Sequence, residues 1–208
     1  NGLLVLPTGA GKSLIIADIA ARLEEPLIVF QPNKEILEQN FAKLQTYGIW
    51  DCSIYSASVG RKEISRITFA TIGSVIRHMK DFQHFKNILI DECHLVKPSD
   101  GMYKRFFEQA ERRIVGLTAT PYRLYSCMNG SMLKFLTRTR PRVFSQVLYY
   151  CQVSELLAKG FLSRLKYYDV TRIDLTKVRR NSSGADFDDA SLSDESVSYT
   201  HLRAHETL

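Results

Sequence analysis

The feature that most constrains the fold of this chain lies near its beginning and reads Leu6-Pro7-Thr8-Gly9-Ala10-Gly11-Lys12-Ser13. It follows an apolar run and precedes a stretch of helical spacing. A glycine turn in that position lets backbone N–H groups face phosphates, and the helix N-terminus adds positive potential. Lys12 then reaches the β- and γ-phosphates and Ser13 binds Mg²⁺. We predict a phosphate-binding loop for ATP and Mg over residues 7–13, although Leu6 replaces the usual first glycine and a structural turn is the alternative.

A second motif, Asp91-Glu92-Cys93-His94, follows the apolar run Ile88-Leu89-Ile90. Ligands of open α/β sheets bind at the carboxyl ends of strands. We therefore expect Asp91 to hold Mg²⁺, usually through water, and Glu92 to polarise the water that attacks the γ-phosphate. Alone, this pair is more often a solvated strand end. Together with a phosphate-binding loop in the same chain, the catalytic interpretation of the pair becomes the favoured one.

The body of the chain alternates short apolar runs with helical spacing, which predicts a parallel sheet covered by helices on both faces. The predicted strands are Leu3–Leu6, Leu27–Phe30, Cys52–Tyr55, Ile67–Ala70, Asn87–Ile90 and Arg113–Leu117. The predicted helices are Lys12–Leu23, Lys34–Leu44, Gly73–Met79, Met102–Ala110 and Val153–Lys159, with a further strand at Leu165–Val170. We expect Tyr149 and Tyr150 to pack in a core.

A third motif, Thr118-Ala119-Thr120-Pro121, ends the last strong strand. In order, the three motifs resemble motifs I, II and III of superfamily 2 DEAD/DEAH-box helicases, most closely the RadD-like and type III restriction-helicase relatives. The resemblance implies a RecA-like P-loop domain of the α/β class that is the N-terminal motor domain of a helicase. It also implies a catalytic set of Lys12, Asp91 and Glu92, and coupling between the motifs through His94, Thr118, Ala119 and Thr120.

Two further segments match family motifs that contact nucleic acid, and they place Pro32, Asn33 and Lys34 after the second strand and Thr71, Gly73 and Ser74 after the fourth. Their charge, hydroxyls and helix-start amides suit a DNA or RNA backbone without reading bases. Both segments are equally good helix starts, so capping stays an open alternative.

Charge and composition limit the remaining possibilities. Residues 1–180 carry 27 basic and 16 acidic side chains, whereas residues 181–208 carry one and six, so the basic part is the body. A basic body favours a polyanionic partner. No apolar run is long enough for a membrane span, and the four cysteines form no C-x-x-C pair, so we expect a cytoplasmic protein without a membrane partner, zinc cluster or disulfide framework.

The predicted organisation is a truncated RecA-like domain at residues 1–125, an extension at 126–180, a linker at 181–196 and a non-native tail at 197–208. The resemblance implies a second RecA-like domain in cis, and no Gln-x-x-Gly-Arg-x-x-Arg string occurs here. We therefore expect the intact protein to be an active ATPase and this chain to be nearly inactive. Two alternatives remain open, a P-loop small-molecule kinase and a non-catalytic nucleic-acid binding module.

Overall fold

The computed structural model describes residues 1–127, 130–164, 175–180, 188 and 190–193. The chain divides into two compact units, Asn1–Ser163 and Arg164–Leu208. The first unit contains all the motifs of the sequence analysis. In the second, a 3₁₀ turn covers Leu175–Lys177 and residues 190–193 are helical. The predicted strand at Leu165–Val170 and the tail at 197–208 lie outside the described residues.

The first unit is built on an eight-stranded sheet with the order β10-β1-β7-β6-β2-β5-β3-β4. Its strands are β1 (Gly2–Val5), β2 (Leu27–Phe30), β3 (Cys52–Ser56), β4 (Arg61–Lys62), β5 (Ile67–Ala70), β6 (Asn87–Ile90), β7 (Arg113–Thr118) and β10 (Gln146–Tyr150). All neighbours are parallel except the short β4. The fold class is therefore α/β, and the six predicted strands are confirmed to within one residue at each end.

The described residues of the first unit form five α-helices, namely α1 (Lys12–Arg22), α2 (Lys34–Thr46), α3 (Ile72–Val75), α4 (Met102–Phe107) and α5 (Val153–Ala158). The Asn33 side chain caps α2 by accepting a hydrogen bond from the Ile36 amide at 2.9 Å, which satisfies one of the orphan donors of the first turn. The helix predicted over Gly73–Met79 is shorter, and a separate 3₁₀ turn follows at Met79–Phe82. None of the helices in the described ranges is long and apolar enough to cross a membrane.

Two apolar cores lie on the two faces of the sheet. On one face α1 and α2 bury Ile16, Leu37 and Phe41 against strand residues. On the other face Phe82 and Phe106 pack with alternate residues of the same strands. Because the central strands are buried on both faces, they carry continuous apolar runs such as Leu27–Phe30 and Ile88–Ile90 rather than alternating patterns.

Two parts of the first unit differ from the sequence-based expectation. A β-hairpin, β8 (Tyr122–Cys127) and β9 (Gly130–Phe135), follows the third motif. Strand β10 then joins the sheet beside β1. The prediction that Tyr149 and Tyr150 pack in a core is wrong, since their side chains are 55% and 61% exposed. The reason is position: β10 is an edge strand, and aromatic residues favour strands whether or not these are covered.

Candidate ATP site and nucleic-acid interface

The loop between β1 and α1 has the conformation that a phosphate site needs. Gly9 and Gly11 both have φ of +82°, in the left-handed region that glycine adopts without steric cost. The Ala10 amide donates to the Pro7 carbonyl at 3.1 Å, which closes the turn through Thr8. Helix α1 then begins at Lys12, so its N-terminal amides are available to an anion. A Cβ added at Gly9 would lie 2.8 Å from Leu162 Cδ2, so the segment after α5 packs against this loop.

Lys12 and Glu92 form an ion pair across the carboxyl edge of the sheet. Lys12 Nζ lies 2.5 Å from Glu92 Oε1, and the two side chains are 15% and 25% exposed. The pair joins the phosphate loop to the carboxylate motif although 80 residues separate them. The sequence-based expectation that these two motifs meet at one edge is thus borne out by the positions of their side chains.

Ser13 and Asp91, the two expected Mg²⁺ ligands, are bridged by the amide of Asn40. Ser13 Oγ donates to Asn40 Oδ1 at 2.6 Å, and Asn40 Nδ2 donates to Asp91 Oδ2 at 3.3 Å. Asn40 was not among the site residues predicted from the sequence. A signal was present, since Asn40 lies on the same face of α2 as Leu37, Phe41 and Leu44, which are buried, and a polar residue on a buried face requires a partner.

The two carboxylates occupy different environments. Burial raises the pKa of Asp91 above its usual value, and the charge of Glu92 adds to this, while Lys12 opposes it. Glu92 has φ of +47°, the left-handed region that non-glycine residues seldom adopt. Its amide donates to Asp91 Oδ1 at 3.0 Å, which holds the turn in place. Such strained residues cluster at functional sites because the surroundings impose the conformation.

The second and third motifs are in direct contact. His94 Nδ1 lies 3.0 Å from Thr118 Oγ1 and 3.4 Å from Glu92 Oε2. The Thr120 amide donates to Thr118 Oγ1 at 3.0 Å, across the half-buried Ala119. Strand β7 lies between β1 and β6, so a hydroxyl at its end is adjacent to both the loop and the carboxylates. The structure therefore connects the residues expected to couple the motifs.

The six residues expected to contact nucleic acid line one cleft of about 510 Å³. Its walls are Pro32, Asn33, Lys34, Ala57, Ser58, Lys62, Thr71, Gly73, Ser74, Arg77 and His78. None of these described residues carries a carboxylate, whereas Lys34, Lys62 and Arg77 are cationic, so the cleft suits an anion. The sequence motifs did not indicate four further residues of the cleft, namely Ser58, Lys62, Arg77 and His78. Only the fold brings the β3–β4 turn and the segment after α3 next to the matched motifs.

Some of the residues that line this cleft also have structural roles. Asn33 caps α2, which is the capping alternative left open by the sequence. Ser74 Oγ accepts a hydrogen bond from the Ala57 amide at 2.9 Å and lies 2.9 Å from Thr71 Oγ1. These hydrogen bonds hold the turn that follows β3 against α3, and this contact shapes the wall of the cleft.

The residues at the carboxyl edge fit Mg-ATP. The glycine loop, Lys12, the hydroxyl of Ser13 and the carboxylate of Asp91 form the donor set of a nucleotide site. In the described part of the chain no group of three or more His, Cys, Asp or Glu residues could hold a metal. A Mg²⁺ ion at such a site needs few protein ligands, because phosphates and water complete its shell.

This fold and this edge define the class of RecA-like P-loop domains. The family model described as "Type III restriction enzyme, res subunit" matches residues 1–123. The chain therefore belongs to that family, which confirms the resemblance to the N-terminal motor domain of superfamily 2 helicases.

Individual relatives agree with this membership. The DNA 3'-5' translocase XPB2 of Sulfurisphaera tokodaii is 29% identical over 126 residues, covering 59% of this chain and 28% of its own length. A putative ATP-dependent RNA helicase of African swine fever virus is 27% identical over 164 residues, covering 76% and 32%. The chain thus spans about a third of these curated relatives. In fold it is similar to a nuclease-deletion mutant of the Type ISP restriction-modification enzyme LlaGI in complex with a DNA substrate mimic, with a TM-score of 0.55 at 13% identity over 78% of this chain and 19% of that one.

Proposed function

We propose that this chain is the ATP-binding motor domain of a nucleic-acid helicase or translocase, which binds Mg-ATP at the carboxyl edge and a nucleic-acid backbone in the adjoining cleft. The observation that carries the proposal is the meeting of Lys12 with Glu92, and of Ser13 with Asp91 through Asn40. A structural glycine turn gives no reason for a loop lysine, a hydroxyl and two carboxylates to converge.

Each residue of the proposed ATP site has a separate role. The amides of the loop and the α1 N-terminus hold the phosphates, and Lys12 exchanges Glu92 for the β- and γ-phosphates. Ser13 and Asp91 hold Mg²⁺, which when bound neutralises phosphate charge during transfer. Glu92, released from Lys12, orients and polarises the attacking water. His94, hydrogen-bonded to Thr118, relays a change at Glu92 to the third motif through Thr118, Ala119 and Thr120.

The cleft is the proposed interface with DNA or RNA. Lys34 and Lys62 supply charge to phosphates, and Thr71, Gly73 and Ser74 form the neighbouring wall beside Pro32 and Asn33. Contacts of this kind position a strand without reading its sequence. A DNA translocase and a putative RNA helicase both occur among the relatives, which supports a nucleic-acid partner and leaves the kind of strand open.

We further propose that a second RecA-like domain in cis completes the ATP site of the intact protein. An arginine supplied from such a partner accelerates phosphoryl transfer by roughly 10³–10⁵. The 208-residue chain should then bind Mg-ATP and turn it over very slowly, and equal turnover by this chain and a two-domain protein contradicts the proposal. A cytoplasmic location stays a prediction.

Binding measurements on the 208-residue chain separate the candidate functions. A motor domain binds a fluorescent Mg-ATP analogue and a labelled single-stranded oligonucleotide. Lys34→Ala and Lys62→Ala should each reduce the slope of log affinity against log salt by about one, because each neutralises one phosphate. A small-molecule kinase binds the nucleotide alone. A non-catalytic module binds the strand alone and is unaffected by Lys12→Ala.

A further inference from the structure

A cavity of about 480 Å³ lies beside the ATP site and is not used by the proposed mechanism. Its walls are Gln31, Pro32, Thr71, Ile72, Gly73, Asp91, Glu92, Leu95, Lys97, Asp100, Gly101, Met102 and Tyr103. The volume is in the range of small-molecule pockets, and apolar walls with a few polar groups are typical of them.

The polar group that stands out in this wall is Gln31, the residue directly after β2. Its side chain is 1% exposed, and neither its amide oxygen nor its amide nitrogen has a hydrogen-bond partner within the described residues. A buried amide without partners loses its hydrogen bonds to water and gains none in return, which is unfavourable. Its backbone is fixed, since the Gln31 amide donates to the Ala70 carbonyl at 3.0 Å. This residue of the cavity wall therefore has one donor group and one acceptor that remain unpaired within the described residues.

The cavity adjoins the basic cleft, because Pro32, Thr71 and Gly73 line both. The two spaces differ in charge. The cleft has Lys34, Lys62 and Arg77 and suits phosphate, whereas the cavity has the carboxylates of Asp91, Glu92 and Asp100 against Lys97 and repels it. A neutral, planar, partly apolar group that is covalently attached to a phosphate matches both spaces at once.

We propose that this cavity binds one nucleobase of the strand whose backbone lies in the cleft. The inference rests on the proposed function and goes beyond backbone contact. Unstacked bases of single strands are held by apolar and aromatic side chains and by hydrogen bonds to their edges. Ile72, Met102 and Tyr103 supply the apolar walls. The Gln31 amide supplies the complementary pair, as glutamine does with the N6 and N7 atoms of adenine.

This placement gives a strand direct access to the ATP site. A base in the cavity is bounded by Asp91 and Glu92, which also form the nucleotide site. Strand occupancy and the position of Glu92 then share one wall, which offers a physical route by which a strand affects ATP hydrolysis.

Two oligonucleotides test the proposal on the 208-residue chain. One carries adenine at every position, and the other has the same deoxyribose-phosphate backbone with abasic residues, so the phosphate contacts are matched. The chain should bind the adenine strand about tenfold more tightly, since one held base contributes about 1–3 kcal/mol. A 2-aminopurine strand should change its fluorescence on binding.

Variants of the cavity residues then test whether the preference for the adenine strand arises in the cavity. Gln31→Leu should remove most of it, and this change deletes a buried unpartnered amide, so folding is not at risk. Met102→Trp, which fills the cavity, should also reduce the preference. The matched control Gln39→Leu lies on an exposed position of α2 and should retain it.

The outcomes separate the inference from the proposed function. If both strands bind equally and Lys34→Ala weakens both, the motor assignment survives and the base site is wrong. If Gln31→Leu keeps the full preference, the base is held elsewhere. If free adenosine occupies the cavity as tightly as the strand does, the ligand is a nucleoside and the strand-borne base is rejected. If neither strand binds, both proposals are overturned.

Discussion

Lys12 Nζ contacts Glu92 Oε1 at 2.5 Å, and this ion pair joins the two ends of the candidate ATP site. Each group neutralises the other, so neither is left as an uncompensated charge in a partly buried place. Under the proposed function, the phosphates of Mg-ATP compete with Glu92 for the lysine. The proposal therefore makes nucleotide binding and the release of Glu92 two aspects of one exchange.

Replacing Glu92 with glutamine tests this exchange. Glu92→Gln removes the charge that competes for Lys12, so Mg-ATP affinity should stay the same or rise by a few-fold. Hydrolysis by a protein with both motor domains should fall by about 10²–10⁴, the usual contribution of general acid–base catalysis. Titration calorimetry and phosphate release measure the two effects. The control Glu38→Gln, exposed on α2, should change neither, and a large loss of affinity in Glu92→Gln argues against the competition.

The Asn40 bridge predicts that removing this side chain weakens nucleotide binding mainly when Mg²⁺ is present. Asn40→Leu removes the amide that holds Ser13 and Asp91, so Mg²⁺-dependent nucleotide affinity should fall by about tenfold. This corresponds to about 1–3 kcal/mol for the loss of hydrogen bonds to buried or charged groups. Affinity measured without Mg²⁺ should change much less. Gln39→Leu, the exposed neighbour, serves as the control, and an equal loss with and without Mg²⁺ contradicts the bridging role.

The raised pKa of Asp91 predicts a pH-dependent stability difference. Because burial destabilises the charged form in the folded state, stability is fully present below the unfolded pKa of about 3.9 and decreases as pH rises through the folded pKa. The Asp91→Asn variant has no titrating group at this position. The difference between its melting temperature and that of the unmodified chain should therefore increase as the pH rises through that window, and it should be zero at the acid end. Thermal unfolding at several pH values checks the sign. Asp18→Asn, on an exposed position, should show no such trend.

Phe144 tests whether the region beyond the third motif belongs to the first compact unit. It is 2% exposed in the same core as Phe30 and Ile90. Phe144→Ala should destabilise the chain by about 3–5 kcal/mol. Phe161→Ala is the matched control at 72% exposure and should stay within about 0.5 kcal/mol. Equal effects in denaturant unfolding indicate that this region packs separately from the sheet.

The central strands were readable from sequence because burial on both faces favours apolar residues on both, as in Leu27–Phe30, which is apolar and buried at every position. The candidate ATP site was also readable. Parallel strands present their carboxyl ends at one edge, so motifs that follow β1, β6 and β7 must lie close together.

The edge strand and the cleft walls were not readable in the same way. Strand β10 has an apolar sequence over Val147–Tyr150, yet all its residues are exposed, so its edge position could not be inferred from the pattern. Asn40 and Gln31 occur within or beside apolar segments. Only tertiary contacts show that Asn40 is bonded to Ser13 and that the Gln31 side chain has no partner in the part of the chain that the structure describes. Lys62 and Arg77 reach the cleft from separate elements, which no local pattern indicates.

Mg-ATP binding at the glycine loop before α1 is the part of the proposed function on which the other steps depend. The direct measurement is the affinity of the 208-residue chain for a fluorescent Mg-ATP analogue, compared between Lys12→Ala and Lys43→Ala, a control at an exposed lysine of α2. We predict micromolar to millimolar binding by the unmodified chain and the control, and a loss of at least tenfold in Lys12→Ala. Equal affinity of all three proteins, or no binding by any of them, contradicts the account.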